Sequence, residues 1–162
     1  MPYTEPRSPQ PNSPSFTPQD RLSVAPDVLF VYGPLQFPEI LFALLGRVPS
    51  LVPAQAPGWR ATALPNHVYP GLITAIATAS GCLFTDLSPH EWRLLDAFED
   101  PLYDLHQLTL SNGRHGWAYV CGPETEILPA PWSPEEFGQR HLAAYVDRCA
   151  AWRRHYESRQ AG

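Results

Sequence analysis

Apolar residues run without interruption from Val28 to Tyr32 (VLFVY), with β-branched and aromatic side chains prominent among them. That is the pattern of a strand buried on both faces. Gly33 and Pro34 end it. Pro38–Leu45 (PEILFALL) then reads as a helix, with proline at its start, Glu39 in the first turn and Gly46 after the end. A central strand that feeds a glycine turn and a helix leaves turn amides without ladder partners, and ligands often sit at such places. Residues 47–70 are prolines and small residues; they predict irregular connections with one or two strands, and His67–Gly71 reads as a turn. Leu72–Ala77 and Gly81–Asp86 predict strands. Ser88-Pro-His-Glu91 is a capping box with proline at the first helical position, and it opens a helix through about Glu99 that Pro101 ends. Leu105–Leu110 and Trp117–Cys121 read as a hairpin around Asn112-Gly113. Ser133-Pro-Glu-Glu136 repeats the capping device and opens a helix to about Tyr156. On it Phe137, His141, Tyr145, Cys149, Trp152 and Tyr156 form one stripe. These elements predict a mixed domain of five or six short strands, mostly antiparallel, with three helices packed on them.

Length and composition narrow the picture. The 162 residues suit one domain with one core, and 44% hydrophobic with 17% charged residues is ordinary for a globular chain. Seven of the 20 prolines fall in the first 26 residues. Residues 1–26 therefore read as a disordered Pro-rich lead, in which Phe16 and Leu22 are candidates for docking, and residues 27–162 as the folded domain. The net charge is −5 and every positive side chain is arginine. An acidic chain without a basic run argues against nucleic-acid and anionic-membrane partners, and the lack of lysine excludes Schiff-base and P-loop chemistry. Cys82, Cys121 and Cys149 form no C-x-x-C pair, which points to free thiols in a reducing compartment. No apolar stretch reaches membrane-spanning length and the first residues lack a secretory h-region, so the expectation is a soluble cytoplasmic protein. The six histidines lack metal-site spacing, so neither a metal nor a cofactor is expected. No G-x-S-x-G elbow is present.

The candidate chemistry lies at the end of the helix that starts at Pro89. Trp92, Leu95 and Glu99 share a face, so Glu99 lies on or beside the apolar stripe in the last turn. Desolvation and the negative end of the helix dipole both disfavour its carboxylate and raise its pKa toward neutrality. Such a group suits proton uptake and release. Asp96, three residues earlier, is the rival: it could share a proton with Glu99 or cap local amides. The plain alternative is a solvated helix-end carboxylate, a common feature with no chemistry attached.

Four ordered motifs resemble a known family. Phe30-Val-Tyr-Gly-Pro-Leu35 is similar to the F-V-Y-G-[TS]-L signature of gamma-glutamylcyclotransferase-like proteins, in particular their plant AIG2-like branch. Tyr69-Pro-Gly-Leu72, Gly81-Cys-Leu-Phe84 and Leu95-Asp-Ala-Phe-Glu-Asp-Pro-Leu-Tyr103 resemble the branch's Y-P-[GA]-[IL], G-x-[LV]-[YF] and L-D-x-[FY]-E-x-x-x-Y elements. The resemblance spans about Val28 to Trp152. It implies an α+β fold built on a small mixed, mostly antiparallel β-barrel with helices around it and a pocket at the barrel mouth. It also implies cyclising acyl transfer, in which a γ-glutamyl amine or amino acid yields 5-oxoproline and the free amine. Carried over by motif, Glu99 is the general acid/base, and Tyr32, Gly33, Pro34 and Leu35 hold the glutamyl moiety. Tyr103 and Tyr69 are candidate pocket residues. Two positions depart from the pattern. Pro34 replaces a threonine or serine and removes an amide donor and a hydroxyl. Asp104 stands where arginine is frequent. Both put the substrate in question, so two alternatives stand beside the enzyme: a non-catalytic small-molecule-binding module, and a related amide or acyl transferase. The oligomeric state and the leaving amine stay open.

Overall fold

The computed structural model describes residues 21–161. Most of the Pro-rich lead, Phe16 included, lies outside them. Five strands form one mixed sheet in the order β2-β3-β1-β5-β4: β1 Leu29–Val31, β2 Val52–Ala63, β3 Pro70–Phe84, β4 Tyr103–Thr109 and β5 His115–Cys121. Neighbours pair antiparallel except β1 with β5, which run parallel at Leu29 and Trp117. Among the described residues there are four helices, α1 Pro38–Leu45, α2 Pro89–Phe98, α3 Pro134–Arg140 and α4 Leu142–Ala161. The fold is α+β, and it is a barrel only loosely. The sheet stays open between β2 and β4, and the Ser111 N–H to Gln55 carbonyl bond (2.9 Å) bridges toward the far edge at one end.

Strand β1 is buried on both faces, as its unbroken apolar run requires. Leu29 and Val31 face the main core with Ile40, Leu41 and Leu44 of α1, Leu94 and Leu95 of α2, and Phe137, Tyr145 and Cys149 from the C-terminal helices. Phe30 and Tyr32 point the other way, into a second cluster with Ala56, Leu72, Leu108, Ala118 and Val120. The alternation is the two-residue period of a strand. Leu22, from the end of the lead, packs against the main core.

Three expectations need correction. The region read as irregular pieces is a long antiparallel ribbon of 12 and 15 residues, so the strands are not all short. Pro53 and Pro57 sit in β2, an edge strand, where a missing N–H costs no ladder bond. Gly58, at φ +88°, absorbs the register shift between Pro57 and Trp59. Finally, the C-terminal helix is two helices, broken at His141 (φ −126°, ψ −15°). The predicted stripe nevertheless holds across the break, with Phe137, Tyr145, Cys149 and Tyr156 buried. Among the described residues no helix is long and apolar enough to cross a membrane.

Gly81 lets β3 lie close over β1. A Cβ there would come 2.1 Å from the Val31 carbonyl oxygen, a backbone atom with nowhere to go. Gly81→Ala is expected to destabilise the fold by about 1–3 kcal/mol, read as a lower urea midpoint with an unchanged slope.

Candidate active site

The turn after β1 carries the first half of the site. Pro34–Gln36 is a single 3-10 turn with proline at its first position, closed by the Gln36 and Phe37 N–H groups on the Gly33 and Pro34 carbonyls, 3.0 Å each. A residue at that position needs no N–H, so Pro34 fits the turn. The N–H groups of Gly33 and Leu35 have no partner among the described residues.

The second half sits at the end of α2. Ser88 and Glu91 form the full capping box, and Arg47 binds the Glu91 carboxylate at 2.6 and 2.7 Å, tying this end to α1. At the other end the helix stops at Phe98. Glu99 is extended (φ −70°, ψ 140°), so its side chain leaves the helical stripe on which spacing had placed it.

Between the two halves lies a cavity of about 270 Å³. All seven residues singled out from the sequence line it: Glu99, Tyr32, Gly33, Pro34, Leu35, Tyr69 and Tyr103. Phe98, Asp100, Tyr119, Tyr145 and Arg148 also contribute to its wall. Asp104 does not; it is exposed on β4, so the charge reversal there lies outside the cavity.

The wall is rich in tyrosine yet presents mostly ring surface, because the hydroxyls are committed elsewhere. Tyr32 donates to the Tyr119 carbonyl and Tyr103 to the Pro70 carbonyl (2.5 Å). Tyr119 donates to Asp96 Oδ1 and Tyr69 to Asp100 Oδ2, both at 2.6 Å. No side chain among the described residues hydrogen-bonds the Glu99 carboxyl. Glu99 is half-buried and lines the cavity. Burial pushes its pKa up to about 8, Asp96 and Asp100 add to the rise, and Arg21 opposes it. The expected rise is there, but the helix dipole is countered, since Arg21 covers carbonyls at that helix end.

Asp96 is a different kind of acid. It is 1% exposed, does not line the cavity, accepts from Tyr119 and lies 3.2 Å from Arg21 Nε. Its Oδ1 is engaged by protein partners away from the cavity, and burial raises its pKa as well. Arg148 stands at the cavity wall over the rings of Tyr145 (5.1 Å) and Tyr69 (5.8 Å), with no carboxylate in an ion pair among the described residues. Its position three residues after Tyr145 puts it on the buried stripe's edge, and that signal was available in the spacing. Arg21 had no such signal; its contacts span 75 to 82 residues of sequence.

Comparison with known proteins gives a family and a fold. The family described as gamma-glutamyl cyclotransferase, AIG2-like, matches residues 29–136. AIG2-like protein B of Arabidopsis thaliana is 40% identical over 129 residues, covering 74% of this chain and 73% of that one. AIG2-like protein D of the same plant is 27% identical over 73% and 83% of the two chains. AIG2-like protein C is 39% identical over 47% of this chain, which spans less than half (45%) of that relative. A solution structure from Arabidopsis thaliana shares the fold at a TM-score of 0.56 and 22% identity, over 75% of this chain and 86% of its own. A gamma-glutamyl cyclotransferase shares it at 0.52 and 13%, over 76% and 86%.

The raised pKa has a stability consequence. A carboxyl whose pKa rises on folding makes the native state hold its proton longer than the unfolded chain does. Its stabilising effect is complete below about pH 4.5 and is lost as the pH climbs through about 8. Glu99→Gln is therefore expected to leave the melting temperature nearly unchanged at pH 4. At pH 9 it should stabilise the protein by up to ~5 kcal/mol, measured by thermal melts at both values.

Proposed function

Because the chain belongs to the AIG2-like gamma-glutamyl cyclotransferase family, we propose that it releases 5-oxoproline and a free amine from a γ-glutamyl substrate, with Glu99 as general acid/base. One observation carries this reading. A carboxyl held at a pKa of about 8 shares a single cavity with a turn that offers two unpartnered N–H groups.

The reaction needs no protein nucleophile, since the substrate's own α-amine attacks its γ-carbonyl. As that C–N bond forms, the amine passes a proton to the Glu99 carboxylate. As the original amide C–N bond breaks, Glu99 returns the proton to the departing nitrogen. The carboxylate is regenerated and no water is consumed. A pKa near the working pH suits both transfers. In this reading the Gly33 and Leu35 N–H groups donate to the oxygen of the γ-carbonyl, where negative charge develops. The enclosing rings hold the substrate folded in its cyclising form. Arg148 supplies a cation for a substrate carboxylate. Three free thiols fit a reducing compartment such as the cytoplasm.

Glu99→Gln is expected to lower 5-oxoproline release by ~10²–10⁴-fold across a panel of γ-glutamyl amines and dipeptides, followed by mass spectrometry. In the wild type, turnover should rise with pH through about 8, as the free carboxylate becomes available. Unchanged turnover in the variant would reject the assignment, and binding without turnover across the panel would mark the chain as a binding module. Arg148→Gln is expected to raise KM by ~10-fold with kcat little changed, the loss of one charge-assisted contact.

A further inference from the structure

Arg21 sits in the stretch that composition marks as a lead, yet it is 6% exposed and both terminal nitrogens of its guanidinium are hydrogen-bonded. One terminal nitrogen donates to the carbonyls of Asp100 (2.9 Å) and Tyr103 (3.0 Å), the other to those of Asp96 (2.8 Å) and Glu99 (3.3 Å). The Nε lies 3.2 Å from Asp96 Oδ1 as an ion pair without hydrogen-bond geometry. The plane lies over the Tyr119 ring at 5.2 Å. A helix end leaves its last carbonyls without intrahelical partners. Here a single side chain from the N-terminal segment gathers two of them, together with two carbonyls of the following turn and strand. The four bracket the peptide that carries Glu99.

From this geometry we infer that Arg21 is a positioning residue for Glu99: it holds the 96–103 segment in the course that aims the carboxyl into the cavity and sets the charge behind it. The last residues of the N-terminal segment are thus part of the active site, and the functional unit starts before β1. Only arginine suits the place. Its planar fork offers five N–H donors with a permanent charge, whereas lysine offers three from one point.

The charge also bears on proton transfer. Asp96 and Asp100, on the same segment, favour the protonated Glu99, and Arg21 is the group that opposes them. From β1 and β4, Tyr32 and Tyr103 face it with phenols pushed well up by burial. From β5 and α4 come Tyr119, Tyr145 and Cys149, all shifted upward in the same way, Cys149 to about 12. They are neutral across the working range. Arg148 stands at the exposed rim.

The kinetic arm of the test rests on the proposed cyclotransferase reaction; the spectroscopic arm does not. Arg21→Gln and Arg21→Lys are made in the full chain, and activity is expressed per folded molecule. Arg21→Gln is expected to move the rise of kcat/KM to higher pH by about one unit, with a ~10-fold loss at pH 7. Arg21→Lys, which keeps the charge and loses the fork, should hold the pH profile near wild type while kcat falls ~10-fold. Carbon-13 NMR titration of the Glu99 carboxyl should show the same upward displacement in Arg21→Gln whether or not 5-oxoproline is released. An unmoved Glu99 titration in a folded Arg21→Gln variant overturns the inference. If that variant does not fold, wild-type kcat in Arg21→Lys overturns it, and the kcat loss with the pH profile retained supports it. Absence of turnover in the wild type with a displaced titration would reject the proposed reaction and keep the role of Arg21.

Discussion

The candidate site depends on shielding one carboxyl from water. Desolvation is the largest influence on Glu99, outweighing the guanidinium behind it. Tyrosines achieve this, although they are polar residues, because each of four hydroxyls is used on a protein acceptor before it can reach the carboxyl. What faces the cavity is ring surface with a fixed orientation. A wall of leucines would dry the site equally well, but it would not tie β1 to β5, β4 to β3 and α2 to β5 through the same side chains. Dryness and rigidity come here from one set of residues.

Two acids three residues apart show how environment separates roles. Asp96 is the more buried, and it is answered by Arg21 and Tyr119. A buried pair of this kind adds little net stability, since desolvating both charges offsets their attraction, but it specifies geometry. Glu99 is given no such partner. Pairing it would bring its pKa down and remove its fitness for proton transfer at neutral pH. The helix break at Phe98 is what divides them: one more helical residue would have kept Glu99 on the stripe with Trp92 and Leu95.

Local signals made much of this legible in the sequence. The VLFVY run, the glycine turn, the Ser88 capping box and the Asn112-Gly113 hairpin are each decided by a few adjacent residues, and each lies where expected. The seven cavity residues were legible for the same reason, since they fall on the ends of those elements or in motifs with fixed spacing. The β2–β3 ribbon was not legible, because prolines and a glycine are breakers by propensity and only an edge position makes them tolerable. Nor was its far end. There Ala63, Leu128 and Trp132 exchange backbone bonds with residues remote in sequence, and the Trp132 indole donates to the Val68 carbonyl (2.8 Å), fixing the turn before Tyr69. Arg21 fails by the same logic. Composition described the segment it belongs to, and its partners lie 75 to 82 residues away in sequence.

The two departures from the family motif now carry different weights. Proline at the first position of a 3-10 turn removes a donor that the turn could not have used internally, and its fixed φ preorganises the bend. Among the described residues the N–H groups of Gly33 and Leu35 keep no partner. Asp104 points away from the cavity and faces water. Pro34 lies in the turn that lines the cavity but keeps its bend, whereas Asp104 lies outside the cavity altogether. The outer end is where this chain has its own character: Tyr69 locked to Asp100, His67 packed on the Tyr69 ring at 4.8 Å, and Arg148 spread over two rings at the mouth. In the proposed reaction the departing amine would meet these outer residues and the cyclising part the inner ones, so a preference for the amine would be set apart from the proton transfer.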